Sequence, residues 1–593
     1  METHKYPFGV IGNCAYLALV DDKANIAWMC WPRFDSSFVF GTLLDDEKGG
    51  RFFVRPEWDN FTSVQNYIEN TNVLETTFHC EDGIFKVVDF APRFYLYDRS
   101  FKPLMLVRKI VPLEGRPRIR VSCQPTYQYG NLKPGTITGS NHLTYTGLGT
   151  DVRLTTNIPI TFVQNEQAFV LSETKHLVLT WGEPLEKSLE DTVEQLLDST
   201  IKYWRSWVMK TSTEHFHQDA VIRSALTLKM HQYQDTGAFI AASTTSLPEF
   251  PGSTRNWDYR YCWLRDAHYT LKALNDLSHF EILKDYAIFI ENIILGEDQR
   301  IHPLYPIGLD HLQRETILPL KGYLGERPVR VGNQAEEHIQ NDVYGQVLVT
   351  LLPLFNDKRL LSQHSPTLIA QATHCLDMIE LTMEEPDNGI WEFRGLTQLH
   401  CYTFLFHWAG SHAALKIAKN INDKKLERKA AKLIKAAAAM IERCFDAERG
   451  VYTQAVGSPN LDASNLQLIN MGYLNPQSPR AKRHLEVLEE NLKAENGLFF
   501  RYKHIDDFGA PESTFLICAF WYVEALARTG RVKEAVENFE QLLQYSNHLG
   551  LFSEDVHAVT GSQWGNFPQT YSHVGLINAA FTISRKLDKP TFV

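Results

Sequence analysis

Near His217 the spacing of apolar residues changes, and the change divides the chain into two architectures. Before it, apolar residues come in short alternating runs. After it they recur every three to four residues, as on one face of a helix. Twelve helical patterns follow, near 217–232, 262–275, 279–294, 338–355, 366–383, 398–420, 423–446, 462–470, 480–494, 512–529, 531–545 and 569–587. The connections after the first, third, fifth, seventh, ninth and eleventh are long, about 14 to 43 residues, and the others run to about ten at most. Short connections join antiparallel neighbours. Helices that alternate in direction therefore put every long loop at one end, and long loops in compact domains are usually functional. The pattern predicts six helical hairpins closed into an all-α (α/α)6 toroid with a site at the long-loop end. An open solenoid would carry a repeated residue signature, and the sequence has none.

Residues 1 to about 185 read as strands. Runs rich in β-branched and aromatic residues, at 16–20, 84–90, 104–111, 119–122, 152–155 and 176–180, are bounded by Gly, Asp, Asn and Pro. Several alternate in polarity, and no helix intervenes, which predicts an antiparallel β-sandwich. The aromatic segment 28–40 reads as a packed sheet edge. The chain is thus expected to be multidomain, with a β-sandwich at 1–187, a helical linker at 188–214 and the barrel at 215–593. A net charge of −11 argues against nucleic acid as a partner. No apolar run approaches the length of a membrane span, and the N-terminus lacks the pattern of a signal peptide. The nine Cys are scattered without CxxC spacing, which fits reduced thiols in the cytoplasm. Nothing in the sequence indicates an oligomeric state.

The unusual polar and aromatic residues fall on the long loops. Asn256-Trp-Asp-Tyr-Arg-Tyr-Cys-Trp-Leu-Arg-Asp266 combines four aromatic rings, two Arg and two carboxylates. A structural Arg–Asp pair under an aromatic lid would use the same residues, and so would a pocket that stacks a sugar face and binds hydroxyls. A reactive Cys262 has no neighbouring His base. Other such stretches lie at 327–337, 389–395, 501–512, 553–557 and 564–569. No HExxH, Cys cluster, Asp-rich calcium loop, GxGxxG or Walker pattern appears, so neither a metal nor a cofactor is expected. Paired carboxylates acting on a hydroxyl-rich substrate remain, the pattern of glycoside hydrolysis. Glu392, beside Ile390 and Trp391, is the expected acid, because an apolar wall raises a carboxyl pKa. Glu554 is the expected base, with Asp555 its competitor one residue away.

Several of these stretches resemble glycoside hydrolase family 15, which includes glucoamylases, glucodextranases and trehalases. The residues that carry the resemblance are Ser246-Leu-Pro-Glu-Phe-Pro-Gly252, Arg255 to Ala267, Val331-Gly-Asn333, Asp342-Val-Tyr-Gly345, Asp387-Asn-Gly-Ile-Trp-Glu392, Pro511-Glu512, Gly565-Asn-Phe-Pro-Gln569 and Ser572-His573. Trp31-Pro-Arg-Phe-Asp-Ser36 resembles the bacterial members. The resemblance implies a sandwich followed by the barrel, and hydrolysis with inversion. It implies Glu392 as general acid and Glu554 as general base. It implies Arg265 and Asp266 as the grip on the terminal sugar, Tyr259, Trp263 and Trp391 as aromatics around it, and Arg501 as a loop arginine that binds hydroxyls. The chain departs from the family pattern at His338, often Gln in bacterial members, and at Phe404, where many of them have Lys. It departs also near His412, where they have an Asp-Arg pair, and at Phe393, which is Glu in fungal glucoamylases. These positions bear on the leaving-group side.

The leading expectation is an exo-acting α-glucoside hydrolase that releases glucose from non-reducing ends of α-glucans or oligosaccharides. The alternative within the family is a trehalase. A carbohydrate-binding pseudoenzyme would keep Trp263, Arg265 and Asp266 without working carboxylates. A phosphorylase would need the acid alone. The presence of both Glu392 and Glu554 argues against these two.

Overall fold

The computed structural model describes residues 3–587 except 98, 186, 296–299, 312 and 359–365. The end of the expected barrel domain, 588–593, lies outside the described residues.

The sheet-rich part is antiparallel throughout. One eight-stranded sheet runs in the order Gly135–Thr138, His142–Thr146, Val152–Thr156, Lys175–Trp181, Met105–Gly115, Gly83–Phe90, Leu74–Cys80, Phe61–Tyr67. A four-stranded sheet (Phe8–Gly12, Leu17–Asp21, Ile26–Cys30, Phe38–Phe40) and a three-stranded sheet centred on Arg118–Gln124 share its core. The period of two is visible in which core each side chain enters. Val87, Leu106, Leu177 and Leu179 point into the main core. Their chain neighbours Val88, Val107 and Val178 point the other way, onto a smaller core closed by Val193 of the helix Leu189–Met209. The expected linker helix is therefore packed on the outer face of the sheet.

Among the described residues twelve helices follow, one for each pattern in the sequence. They are α1 (Gln218–Met230), α2 (Leu264–Asp276), α3 (Phe280–Leu295), α4 (Val343–Asn356), α5 (Pro366–Leu381) and α6 (Cys401–Asn420). The second half comprises α7 (Lys424–Glu442), α8 (Gln467–Asn470), α9 (Pro479–Leu492), α10 (Leu516–Arg528), α11 (Val532–Leu543) and α12 (Thr570–Leu587). Contacts among the even-numbered helices close a ring. Helix α2 touches α4, α4 touches α6, and α6 reaches the 3-10 turn Ala463–Leu466 that leads into α8. Helix α8 touches α10, α10 touches α12, and α12 returns to α2.

Residue type separates the inner from the outer ring. Every residue of α10 from Leu516 to Ala527 is buried, as expected of a helix without a polar face. Outer helix α7 buries only Leu426, Ala430, Leu433, Ala437, Met440 and Ile441, a single stripe. Helices α4 and α6 cross at Gly345 and Gly410, where a Cβ on Gly410 would stand 2.6 Å from the Gly345 Cα. The long loops all precede inner helices, so they meet at the N-terminal end of the inner ring.

Two elements differ from expectation. The pattern at 462–470 forms only a 3-10 turn and one helical turn, with the Asp462 side chain accepting the Ser464 N–H at its start. The helix expected from 512 starts at Leu516, because Ser513–Phe515 pairs with Asp555–His557 as a strand. Among the described residues no helix is long and apolar enough to cross a membrane.

Candidate active site

The pocket at the long-loop end is lined by all eight residues singled out from the sequence, Tyr259, Trp263, Arg265, Asp266, Trp391, Glu392, Arg501 and Glu554. Trp263 ends the first long loop, and Arg265 and Asp266 open helix α2. Neighbouring rings of this stretch, Tyr259 and Trp263, meet edge to face with centroids 5.4 Å apart. Each holds one of the two carboxylates. The Trp263 indole N–H donates to Glu392 Oε1 at 2.7 Å, and the Tyr259 hydroxyl donates to Glu554 Oε1 at 2.7 Å. The segment expected to grip sugar thus also fixes the two acids.

Glu392 lies on a turn that local chemistry forces. Asp387 accepts from the Gly389 N–H and the Thr403 hydroxyl, and Gly389 has φ +67° with no room for a Cβ against the His400 ring. Glu392 itself has φ +62°, a conformation that costs a non-glycine residue energy and is typical of functional sites. Its side chain is 21 % exposed. Ile390, Trp391 and Phe393 line the pocket with it. Oε1 meets three donors, the Trp263 indole, Arg265 Nη1 at 3.3 Å and Gln340 Nε2 at 3.3 Å. Trp391 turns its N–H away, to Asp462 at 2.8 Å.

Electrostatic crowding falls on Glu554. One of its oxygens and one from each of Glu249 and Asp555 lie within 4.8 Å of one another. Burial and the Glu249 charge raise Glu554 to about 8, while the Tyr259 hydroxyl, Arg501 and the Asn566 N–H pull it down. Asp555 is also raised, by burial and then by the charges of Glu249 and Glu554. Arg501 supplies the positive charge that a cation would otherwise bring, with Nη2 2.8 Å from Glu249 Oε2. Asp266, raised to about 6 by burial despite Arg265, keeps a buried Oδ2 that ion-pairs with Arg265 Nη2 at 3.2 Å but forms no hydrogen bond of good geometry in the protein. That leaves an acceptor for a ligand hydroxyl. Arg265 is anchored by the Tyr571 hydroxyl and the Ile390 carbonyl, both at 2.8 Å. Cys262 is buried, its thiol pushed up to about 12, which makes it unreactive.

Of the positions that depart from the family pattern, His338 and Phe393 line the pocket. Phe404 is buried inside α6, and His412 lies farther along α6, against Trp408 in a separate cavity. Sequence reasoning assigned no role to Glu249, Gln340, Asp462 or Tyr571. Glu249 lies within a recognised stretch, but its role depends on a contact 305 positions away, which sequence spacing does not reveal.

Residues 215–581 match the model of glycosyl hydrolases family 15, and residues 7–156 match a trehalase-like N-terminal model. A trehalase of Thermoplasma volcanium is 31 % identical over 98 % of this chain and 94 % of its own. A trehalase of Mycobacterium tuberculosis is 31 % identical over 98 % and 90 %. A bacterial glucoamylase solved in complex with acarbose superposes with TM-score 0.68 at 15 % identity, over 98 % of this chain and 95 % of the other. That likeness extends the sheet-rich part and the barrel to a known fold.

Proposed function

The chain belongs to glycosyl hydrolases family 15 and is a glycoside hydrolase, and from that premise we propose that it hydrolyses α,α-trehalose to two glucose molecules with inversion at the attacked carbon. The full-length likeness to proteins named trehalase carries the choice of substrate. It favours the second expectation from the sequence over release of glucose from α-glucans.

Arg265 and Asp266 bind hydroxyls of the attacked sugar at the base of the pocket, and Trp391 and Arg501 wall it. Glu392 protonates the glycosidic oxygen. Its three donors all meet Oε1, which leaves Oε2 to carry the proton. Glu554, once ionised, takes a proton from the attacking water on the other side of the ring. The water adds as the glycosidic bond breaks, and the inverting geometry requires room for that water between the carboxyls.

The substrate is tested by incubation with trehalose, maltose, maltotriose and isomaltose while NMR follows the released anomers. Trehalose should be cleaved with the highest kcat/KM, and α- and β-glucose should appear first in equal amounts. Release of α-glucose alone would exclude inversion. A higher kcat/KM for maltotriose would restore the glucan reading, and glucose 1-phosphate as product would indicate phosphorolysis. The two carboxyl roles separate on α-glucosyl fluoride, whose leaving group needs no acid. Glu392→Gln should retain fluoride hydrolysis and lose trehalose hydrolysis, whereas Glu554→Gln should lose both by about 10²–10⁴-fold.

A further inference from the structure

Part of the fifth long loop lines the pocket, and this segment is bolted to two other loops. Asp507 accepts two backbone N–H groups from the loop that carries Glu392, from Arg394 at 2.6 Å and Gly395 at 3.0 Å. Gly395 permits the approach, since a Cβ there would stand 2.5 Å from Asp507 Oδ1. Arg255, from the first long loop, donates to Asp506 at 2.5 Å and to the Gly509 carbonyl at 2.9 Å. Between the bolts, the Phe508 ring packs edge to face on Trp257, with centroids 5.2 Å apart and planes at 71°. The Trp257 ring is fixed by Arg330 and Arg394, whose guanidinium carbons lie 4.4 and 4.3 Å from its centre. Arg255, Trp257, Arg394, Asp506, Asp507 and Phe508 all line the pocket, and none of them hydrogen-bonds Glu392 or Glu554, although Arg255 also reaches Glu249, with Nε 3.8 Å from Oε2. The neighbouring Ile505 is 79 % exposed, so the segment is held by its bolts and not by burial of its tip.

We propose that residues 506–509 are a latched roof that sizes the leaving-group side of the pocket to one sugar ring, with Asp507 and Arg255 as the latch and Phe508 as the stop. Asp507 and Arg255 are positioning residues, and Phe508 is the specificity-determining contact. The inference rests on the reading of this pocket as an α-glucoside hydrolase site.

The test compares wild type with Asp507→Ala and Phe508→Ala on α-glucosyl fluoride, trehalose and maltopentaose. Phe508→Ala removes no side-chain hydrogen bond and serves where Asp507→Ala fails to fold. The fluoride occupies no leaving-sugar site, so its kcat/KM should stay within about twofold of wild type. Trehalose kcat/KM should fall at least tenfold, chiefly through KM, and the ratio of maltopentaose to trehalose kcat/KM should rise at least tenfold. An unchanged ratio in the folded variants overturns the roof. So does a parallel loss of fluoride and trehalose hydrolysis, which would mean that the loop merely supports Glu392. If wild type cleaves neither the fluoride nor any glucoside, the hydrolase reading fails first and the roof with it.

Discussion

Glu554 shows how one residue sets two opposed pH dependences. A base works ionised, and burial beside Glu249 raises Glu554 to about 8. In the proposed reaction kcat/KM therefore rises with pH through the range above the ordinary 4.5 of a Glu. Stability runs the other way. A carboxyl with a raised pKa holds in the folded chain a proton that the unfolded chain has already released, so stability falls as pH climbs toward the folded value. Asp342, raised to about 7 by burial and Asp387, and Glu554 act in this sense between pH 6.5 and 8. The buried His231, His400, His407 and His484, each pushed down to about 4, and His268, pushed to about 3, are neutral in that window. They cost stability wherever the unfolded chain still carries their proton, mainly below its value of 6.5 and fading within about a unit above it. Scanning calorimetry should show Tm falling from pH 6.5 to 8 while the pH profile of kcat/KM rises. Glu249→Gln removes the like charge and leaves Arg501 to face Glu554, so the acid limb of the profile should move to lower pH. A limb that stays in place would remove Glu249 from the tuning of the base.

The pocket depends on elements that approach closely only because certain side chains are missing. Gly565 has φ +74°, and a Cβ there would stand 2.6 Å from the Glu554 Cβ and 2.7 Å from its Oε2. Gly565→Ala should lower kcat at least tenfold by displacing the Glu554 carboxyl, with Tm reduced by a few degrees, an overpacking cost of about 1–3 kcal/mol. Kinetics and calorimetry on the one variant check both, and unchanged kcat would separate Gly565 from the chemistry. Sequence reading reached the helices for a physical reason. Runs such as 401–420 are long, and their residues must pack on faces fixed by a period of 3.6. It also reached the loops, because Arg, Asp and Trp close together are costly unless paired. The short strand Ser513–Phe515 escaped it, since three apolar-flanked residues carry no readable period. The hydrogen-bond partners of Glu392 escaped it for another reason. Ile390 and Trp391 are its chain neighbours, but a φ of +62° turns its carboxyl toward Trp263 and Arg265, donors from a different loop.

At the scale of the molecule, the sheet-rich part is built into the site's foundations. The segment 28–40, read from sequence as a sheet edge, ends on the strand Phe38–Phe40 at the sheet margin. It also anchors the central stretch of the barrel. The Trp28 indole N–H donates to the Ser243 carbonyl at 2.8 Å. Arg260, wholly buried, ion-pairs with Asp258 at 2.7 Å and donates to the Ser36 carbonyl at 2.7 Å and the Tyr129 hydroxyl at 3.1 Å. Farther along, the Tyr6 hydroxyl donates to the Gly565 carbonyl at 2.9 Å, directly behind Glu554. One hydrophobic core runs without a break from Tyr6 through both parts to Ile583. Two parts that share a core and buried polar bonds should unfold together, so calorimetry should give one endotherm in place of the two expected for loosely joined domains. Arg260→Leu strands Asp258 as a buried charge and cuts the bonds to 36 and 129, a loss of about 3–5 kcal/mol for a broken buried pair. The variant should unfold in two steps, with the barrel melting first because its first long loop loses its seat, and it should lose activity at temperatures where the sheet-rich part stays folded. A single endotherm, shifted but undivided, would show instead that the apolar core alone couples the two parts.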